Sequence, residues 1–467
     1  MATAFIPSNL DLENFLKDNP PRFNYHIDKF RYIISLITEI PAFNKDLLEN
    51  YAYVPINAAE LQRRIHNYKK YLDYLVDNGI FETDNHYVVG EECKGFRFTK
   101  QFRTLVKPEP ITMYTLVKNI ESKTKFEISM DKKYAHLRKW FNDKLQIDYE
   151  GAMKYLQDQY EHNEKTGMEN ALLKFNANSV SAYRLKEHDY IFTVDNNVGR
   201  LHTNLTILKS EIRNFLTYDG KPMVSVDYAN SQPLLGSVLL DENFYTVELP
   251  SSTPINPKPP LFNIYKVVKP PSLFLPLSSP SSLKTIHSYI MIVKSRETYT
   301  GIGFKPYIAS VSAGKLYAYI QEQVKIQTGL DITDKKELKA VVFTVLFTDN
   351  RFIGQPEAEP KRIFRNLFPD VYEVFAMIKK GDSTILPRLL QTIESKLMLD
   401  NVAKRIAKER PKMTIYTIHD SIACTVGNED YVARVMKEEM QKAIGVTPTV
   451  KFEYWKPENV VSKSEIK

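Results

Sequence analysis

Two aspartates each close an apolar, β-branched run, and this constrains the chain more than any other feature. Asp227 lies in Val224-Ser-Val-Asp-Tyr-Ala-Asn-Ser-Gln-Pro-Leu-Leu235, and Asp420 follows Thr414-Ile-Tyr-Thr-Ile-His. Runs of this kind are expected to form buried strands. A carboxylate at a strand end reaches a cleft while its strand stays in the core. Two such carboxylates, brought together by the fold, can hold two divalent cations roughly 3.5–4 Å apart for an in-line phosphoryl displacement. Hard cations such as Mg²⁺ favour oxygen donors, so the Tyr228 backbone carbonyl is a further candidate ligand beside Asp227 and Asp420. Taken alone, Asp227 reads more readily as a cap on a helix starting at Ser231-Gln-Pro.

The surrounding composition is that of a globular protein. The 467 residues allow roughly three domains. A net charge of +7 suits a polyanionic partner without requiring one. Cys93 and Cys424 are the two cysteines, too few for a metal-binding cysteine cluster or a disulfide framework. Nine scattered histidines show no zinc spacing. No secretory leader and no apolar run of membrane length are expected, which points to an intracellular, cytoplasmic setting without a membrane partner.

Along the chain, residues 1–50 read as helical with interleaved aromatics. A helical stretch from Asn57 to Asn78 repeats Leu61, Ile65, Tyr68, Leu72 and Leu75 on one face, and Asn78-Gly79 stops it. Short β patterns follow at Ile80–Thr83, His86–Val89 and Gly95–Phe98. A helix followed by a small hairpin outlines a winged helix-turn-helix, in which Arg63 and Arg64, with Lys69 and Lys70, are placed to meet phosphates or simply to face solvent. The expected units are a helical, winged-helix-like domain over 1–110, a helical connector over 111–190, and a third unit over 191–455. The third unit is interrupted by a Pro- and Ser-dense, flexible insertion at 249–285, with order resuming near Tyr307.

Two further blocks carry chemistry. Thr193–Leu205 contains Gly199-Arg200, a site of close backbone approach beside a planar donor fork. Asp334–Thr348 reads as a helix with Asp334 and Glu337 at its start. Lys335, Lys339, Phe343 and Phe347 lie four apart on one slowly turning face. Lysines in a first helical turn oppose the helix dipole, which suggests a task beyond helix stability. The alternative is an amphipathic helix with its phenylalanines in the core. His419-Asp420-Ser421 reads as a hairpin tip. A Ser-His-Asp hydrolase is disfavoured, because adjacent strand residues point to opposite faces and no Gly-x-Ser-x-Gly elbow occurs.

In this order and spacing, the blocks resemble the core shared by family A DNA polymerases and the phage-type single-subunit RNA polymerases, over residues 190–455. Thr193–Leu205 is similar to the family's Thr-x-x-Gly-Arg-Leu segment, with extra residues before Gly199. Asp227-Tyr228 resembles the first metal motif. Lys335, Lys339, Phe343 and Phe347 resemble the fingers helix, with Lys335, Phe347 and Thr348 departing from the usual Arg, Tyr and Gly. His419-Asp420-Ser421 resembles the third motif in its RNA-polymerase form, and Gln391 the family's template-side glutamine. The resemblance implies an α+β fold with an antiparallel palm sheet, helical fingers and thumb, and template-directed nucleotidyl transfer with two Mg²⁺ ions. It implies Asp227, Asp420 and Lys339 as catalytic. Lys335, Phe343 and Phe347 would seat the nucleotide, and Gln232, five residues after Asp227, would be a steric gate against a ribose 2′-hydroxyl. Arg200, Gln391 and His419 would lie on the primer–template. Gln232 and Phe347 favour deoxynucleotides, while Ser421 favours the RNA enzymes. Minimal cores of this kind occur in virus-like mobile elements, so replication of a viral, plasmid or mobile element follows, with a helicase or primase as partner. An RNA polymerase or primase, and a non-catalytic DNA-binding replication protein, are the alternatives.

Overall fold

The computed structural model describes residues 2–48, 53–85, 93–245, 280–351 and 353–460. The architecture is α+β, rich in helix, with antiparallel sheets. The chain begins with a strand, β1 (Ala2–Pro7), where the sequence suggested helix. It pairs antiparallel with a strand a hundred residues later, from Ile111 opposite Ala2 to Val106 opposite Pro7. Tertiary pairing overrides local preference here: Ala4, Phe5 and Ile6 are buried, and the Phe5 amide donates to the Ser35 hydroxyl at 2.8 Å. The helix Ile27–Phe43 packs on this ribbon through Phe30, Ile33, Ile34 and Ile37.

The expected single helix over 57–78 is two helices, Ala58–Arg64 and Tyr68–Asp77. The chain leaves helical geometry at Ile65 (φ −132°, ψ 101°). Ile65, His66 and Asn67 all have modest helix propensity, and Asn67 begins the second helix. All the residues of the expected face are nevertheless buried. A three-stranded antiparallel sheet follows in the order β2 (Val54–Pro55), β4 (Gly95–Phe98), β3 (Phe81–Thr83). Two short helices and a small antiparallel sheet thus stand where the sequence suggested one helix and a hairpin. The expected strand at His86–Val89 lies outside the described residues.

The strands β5 (Val106–Ile111) and β6 (Leu145–Ile147) lead to two helices, Tyr149–Lys165 and Ala171–Lys186, that pack on each other. A small hairpin of β7 (Phe192–Val194) and β8 (Leu201–Thr203) comes next. The central sheet is built on β10 (Lys221–Tyr228), which turns back from β9 (Leu216–Tyr218). β12 (Ser421–Thr425) pairs along one edge of β10, and β13 (Val450–Tyr454) along the other. β11 (Ile415–Ile418) pairs outside β12.

Both faces of β10 are covered. Val224, Val226 and Tyr228 face a large core shared with the helices Pro280–Thr300, Lys335–Phe347, Pro369–Ile378 and Ile385–Lys396. Met223 faces a second core, with Leu216, Tyr218, Tyr416 and Ala423. The helix Pro280–Thr300 takes in residues assigned above to the flexible insertion and lies ahead of Tyr307, where the sequence suggested that order resumes. Its Ile286, Ile290 and Val293 are fully buried, and that apolar spacing holds it to the core. Residues 249–279 of the insertion lie outside the described residues. No helix among the described residues is long and apolar enough to cross a membrane.

Candidate active site

Sheet register brings the two aspartates together. Asp227, next to last in β10, lies opposite Ser421, the first residue of β12. Ile418 pairs with Ser421, so His419 and Asp420 are the two-residue turn between β11 and β12. They are turn residues rather than strand residues, and Asp420 is thereby one residue from Asp227's cross-strand partner. The turn requires φ +54° at His419, a left-handed conformation that glycine adopts without strain. Asn230, three residues after Asp227, has φ +56°. Left-handed non-glycine residues thus flank both carboxylates, as occurs where a site over-determines its backbone.

Asp227 does not cap the following helix. That helix, Ser231–Gly236, has Asn230 at its cap position with no side-chain cap bond. Asp227 instead accepts from the Ser225 hydroxyl at 3.1 Å, two residues back on the same face of β10. Burial raises the Asp227 carboxyl pKa, against hydrogen bonds from Ser421 and Ser225 and the charges of Arg213 and Lys451. For Asp420, burial and then the charges of Glu394 and Asp227 push the pKa up to about 7. Two carboxylates that each raise their proton affinity lack a full complement of positive charge. The Tyr228 side chain is turned away into the core, where its hydroxyl donates to the Met436 carbonyl at 2.8 Å.

Sequence reasoning missed the residue that organises the rest of the site. Glu394 is buried on the helix Ile385–Lys396, one turn after Gln391. It forms an ion pair with Arg200. It also accepts from the Gln232 amide nitrogen at 2.6 Å and from the Ser231 hydroxyl at 3.3 Å. Ser395 donates to the Gly199 carbonyl, so the Gly199-Arg200 turn is fastened to the helix twice. Gly199 has φ +70°, which a side chain would strain. Asp195 holds the same turn from inside, accepting the amides of Asn197, Val198 and Arg200 at 2.8–2.9 Å. Burial opposes its ionisation, but His202 and these amides win and hold its carboxyl at about 2. A π-helical segment, Leu397–Ala403, begins just after Ser395, a distortion common beside functional sites. The signal for Glu394 was in the sequence: one acid inside the apolar series Leu389, Leu390, Ile393, Leu397, Met398.

Several buried polar atoms around these residues make no hydrogen bond: Arg200 Nε, Gln232 Oε1, His419 Nδ1, Thr417 Oγ1 and Asn230 Nδ2. Such orphans are rare in folded proteins and gather where a ligand completes the set. His419 is neutral, because burial and then the Arg200 and His202 charges push its pKa down to about 4. Gln391 is half-buried on the same helix face as Glu394.

The helix Lys335–Phe347 resolves its own ambiguity. Leu338, Val341, Val342, Val345 and Leu346 are its buried residues. Lys335, Lys339, Phe343 and Phe347 form the opposite, exposed face. The phenylalanines are therefore not in the core. They stack face to face, with centroids 5.5 Å apart and planes at 11°. Asp334 accepts from the Lys336 amide at 2.7 Å and caps the helix without Glu337. The helix packs against Ile385–Lys396, the helix that carries Glu394. Arg63 and Arg64 lie elsewhere, on the N-terminal helix Ala58–Arg64. Both bind Glu60, at 2.6 and 2.7 Å, and Arg63 also donates to Ser122 and Arg64 to the Ile120 carbonyl. Their donors tie the helix Ala58–Arg64 to the end of the helix Tyr114–Glu121.

The carboxylates suit magnesium by donor chemistry. Among the described residues no group of three or more His, Cys, Asp or Glu forms a cage. Mg²⁺ does not need one, since it binds through one or two carboxylates and keeps waters and substrate oxygens as its remaining ligands.

No protein-family model matches the chain, and no curated protein matches it. Among solved structures, the polymerase domain of Pol1 from M. smegmatis, in complex with DNA primer-template and dNTP, is similar at 16% identity and a TM-score of 0.23. The match covers 64% of this chain and spans 55% of that one, and a score this low carries no argument.

Proposed function

We propose that this chain is a template-directed nucleotidyl transferase, a DNA polymerase with a family A-like palm and fingers. The observation that carries the reading is the register of the central sheet, which sets Asp227 and Asp420 side by side on β10 and the β11–β12 turn. In this reading the sheet is the palm, the helices from 305 to 396 the fingers, and the pair over 149–186 the thumb. Asp227, Asp420 and the Tyr228 carbonyl would hold the Mg²⁺ ions. When bound there, the ions would acidify the primer 3′-hydroxyl and neutralise the leaving pyrophosphate.

The other roles fall to the chain's own groups. The Lys339 ammonium, supported by Lys335, neutralises the triphosphate. The stacked Phe343 and Phe347 offer an apolar platform for the incoming base. Gln232 stands against the sugar, and Glu394 holds its amide nitrogen so that its bulk stays in place. Arg200 and Gln391 bracket Glu394 and face the primer–template, with neutral His419 beside them. Primer extension on a DNA template tests the assignment. Asp420→Asn should abolish extension and keep duplex binding, whereas extension at the wild-type rate would refute it. An RNA polymerase is the second reading. It is favoured by Ser421, whose hydroxyl donates to the Ile418 carbonyl at 2.9 Å, where DNA enzymes of this family have a third acid. Preference for rNTPs over dNTPs in the same assay would establish it.

A further inference from the structure

The helix Lys335–Phe347 ends without a glycine. Thr348 closes it in an extended conformation (φ −112°, ψ 160°), so no left-handed turn folds back over the last carbonyls. Two lysines from neighbouring helices take those carbonyls instead. Lys379, just past the helix Pro369–Ile378, donates to the Val345 carbonyl and, at 2.8 Å, to the Thr348 carbonyl. Lys361, on the helix Glu359–Leu367, donates to the Asp349 carbonyl. Lys379 is 4% exposed and Lys361 2%, a depth that lysine rarely reaches. The site rewards them, because the carbonyl end of a helix carries partial negative charge. Both parent helices pack on Lys335–Phe347, so the two side chains join three helices at one point.

Lys379 also lines an open cleft of about 430 Å³, beside Asp349, Arg351, Glu373 and Lys380, so a small movement returns its ammonium to water. Burial and then the Lys361 charge lower its pKa to about 7, against Asp349. The Asp349 carboxylate is shared with Arg351, at 2.9 Å. The charges on the other packed helices act elsewhere. Arg296 of Pro280–Thr300 pairs with Asp370, at the far end of the helix Pro369–Ile378, and Arg388 of Ile385–Lys396 acts on Asp382. In water a lysine holds its proton to near 10.5, whereas the docked Lys379 gives it up above about 7. Release of Lys379 from the helix end between these values therefore takes up a proton. Docking is weakest below pH 7 and strengthens as pH rises from 7 toward 10.5.

We propose that Lys379, braced by Lys361, is a positioning residue: it clasps the carbonyl end of the helix Lys335–Phe347 and so fixes the stacked Phe343 and Phe347 for the incoming nucleotide. The nucleotide rests on the polymerase reading, while the clasp rests on the two lysines. Amide hydrogen exchange on the full chain, without nucleotide, tests the clasp first. Protection of residues 345–349, corrected for intrinsic exchange, should rise between pH 7 and pH 9, by at most about tenfold per pH unit. The helix Glu429–Ile444 serves as the reference and should not follow. Lys379→Met should abolish the rise. Asp349→Asn, a loop change that leaves the cores intact, removes the acid that favours the ammonium and should start the rise at lower pH. Flat protection in the wild type, or an unmoved profile in Asp349→Asn, would overturn the clasp even if Lys379→Met fails to fold. Steady-state primer extension tests the positioning. Lys379→Met should raise the KM for dNTP severalfold with kcat little changed, and the wild-type KM should fall relative to the variant's as pH rises from 7. An unchanged KM in an active variant would overturn the positioning role. A chain that shows the pH-dependent clasp but extends no primer would keep the clasp and lose the nucleotide, which separates the two failures.

Discussion

At the scale of single residues, Asp420 and Glu394 set the site's electrostatics. The Asp420 carboxyl titrates near 7 in the folded chain and near 3.8 when unfolded. The folded state therefore binds more protons between those values. The stability this group contributes is fully present below pH 4 and is lost as pH rises through 7. Asp420→Asn should remove that part of the pH dependence and raise the melting temperature at pH 7 in chelator. Mg²⁺ should raise the wild-type melting temperature and leave the variant's nearly unchanged. An identical pH profile for the two proteins would contradict the coupling of Asp420 to Asp227 and Glu394. Glu394→Ala leaves Arg200 half-buried and without its partner, at a cost of about 3 kcal/mol by urea denaturation. It should also free Gln232 and relax sugar selection, giving a ratio of rNTP to dNTP incorporation above that of the wild type. The aspartates were legible in the sequence as a pair set in two frames, since Asp227 alone reads more readily as a helix cap. Glu394 showed in the sequence only as an acid inside an apolar series, because its partners are some 160 and 190 residues away and only the fold brings them near.

At the scale of elements, the helix Lys335–Phe347 separates stability from function. Its core face is aliphatic, and its aromatic residues are exposed. Phe343→Ala with Phe347→Ala should change stability by no more than about 1 kcal/mol, as expected for exposed positions. In steady-state kinetics the same variant should raise the KM for nucleotide severalfold. A large loss of stability with unchanged KM would return these rings to a packing role. The spacing of four defined this face in the sequence, but spacing could not say whether the face was wet or dry. Elsewhere periodicity was a sound guide to burial and a poor one to continuity. Leu61 to Leu75 are buried as the pattern required, yet the helix breaks at Ile65, because an i+3, i+4 pattern survives a turn that keeps the same face inward. β1 escaped notice for another reason: a strand of six residues owes its state to a partner a hundred residues on.

At the scale of the whole molecule, the first hundred or so residues form one core, and the helices beyond 280 share another with one face of β10. A smaller cluster, with Phe5, Ala42 and Leu48 against Ala177 and Val180, joins the N-terminal module to the helices near the sheet. Antiparallel register then does what no local pattern can, setting Asp227 and Asp420, nearly two hundred residues apart, at one end of one sheet. The most direct test of the account is primer extension on a DNA template with Mg²⁺, run with dNTPs or rNTPs on the wild type, Asp227→Asn and Asp420→Asn. The account predicts extension by the wild type alone, with dNTPs preferred. Duplex binding without extension by the wild type, or extension that survives either substitution, would contradict it.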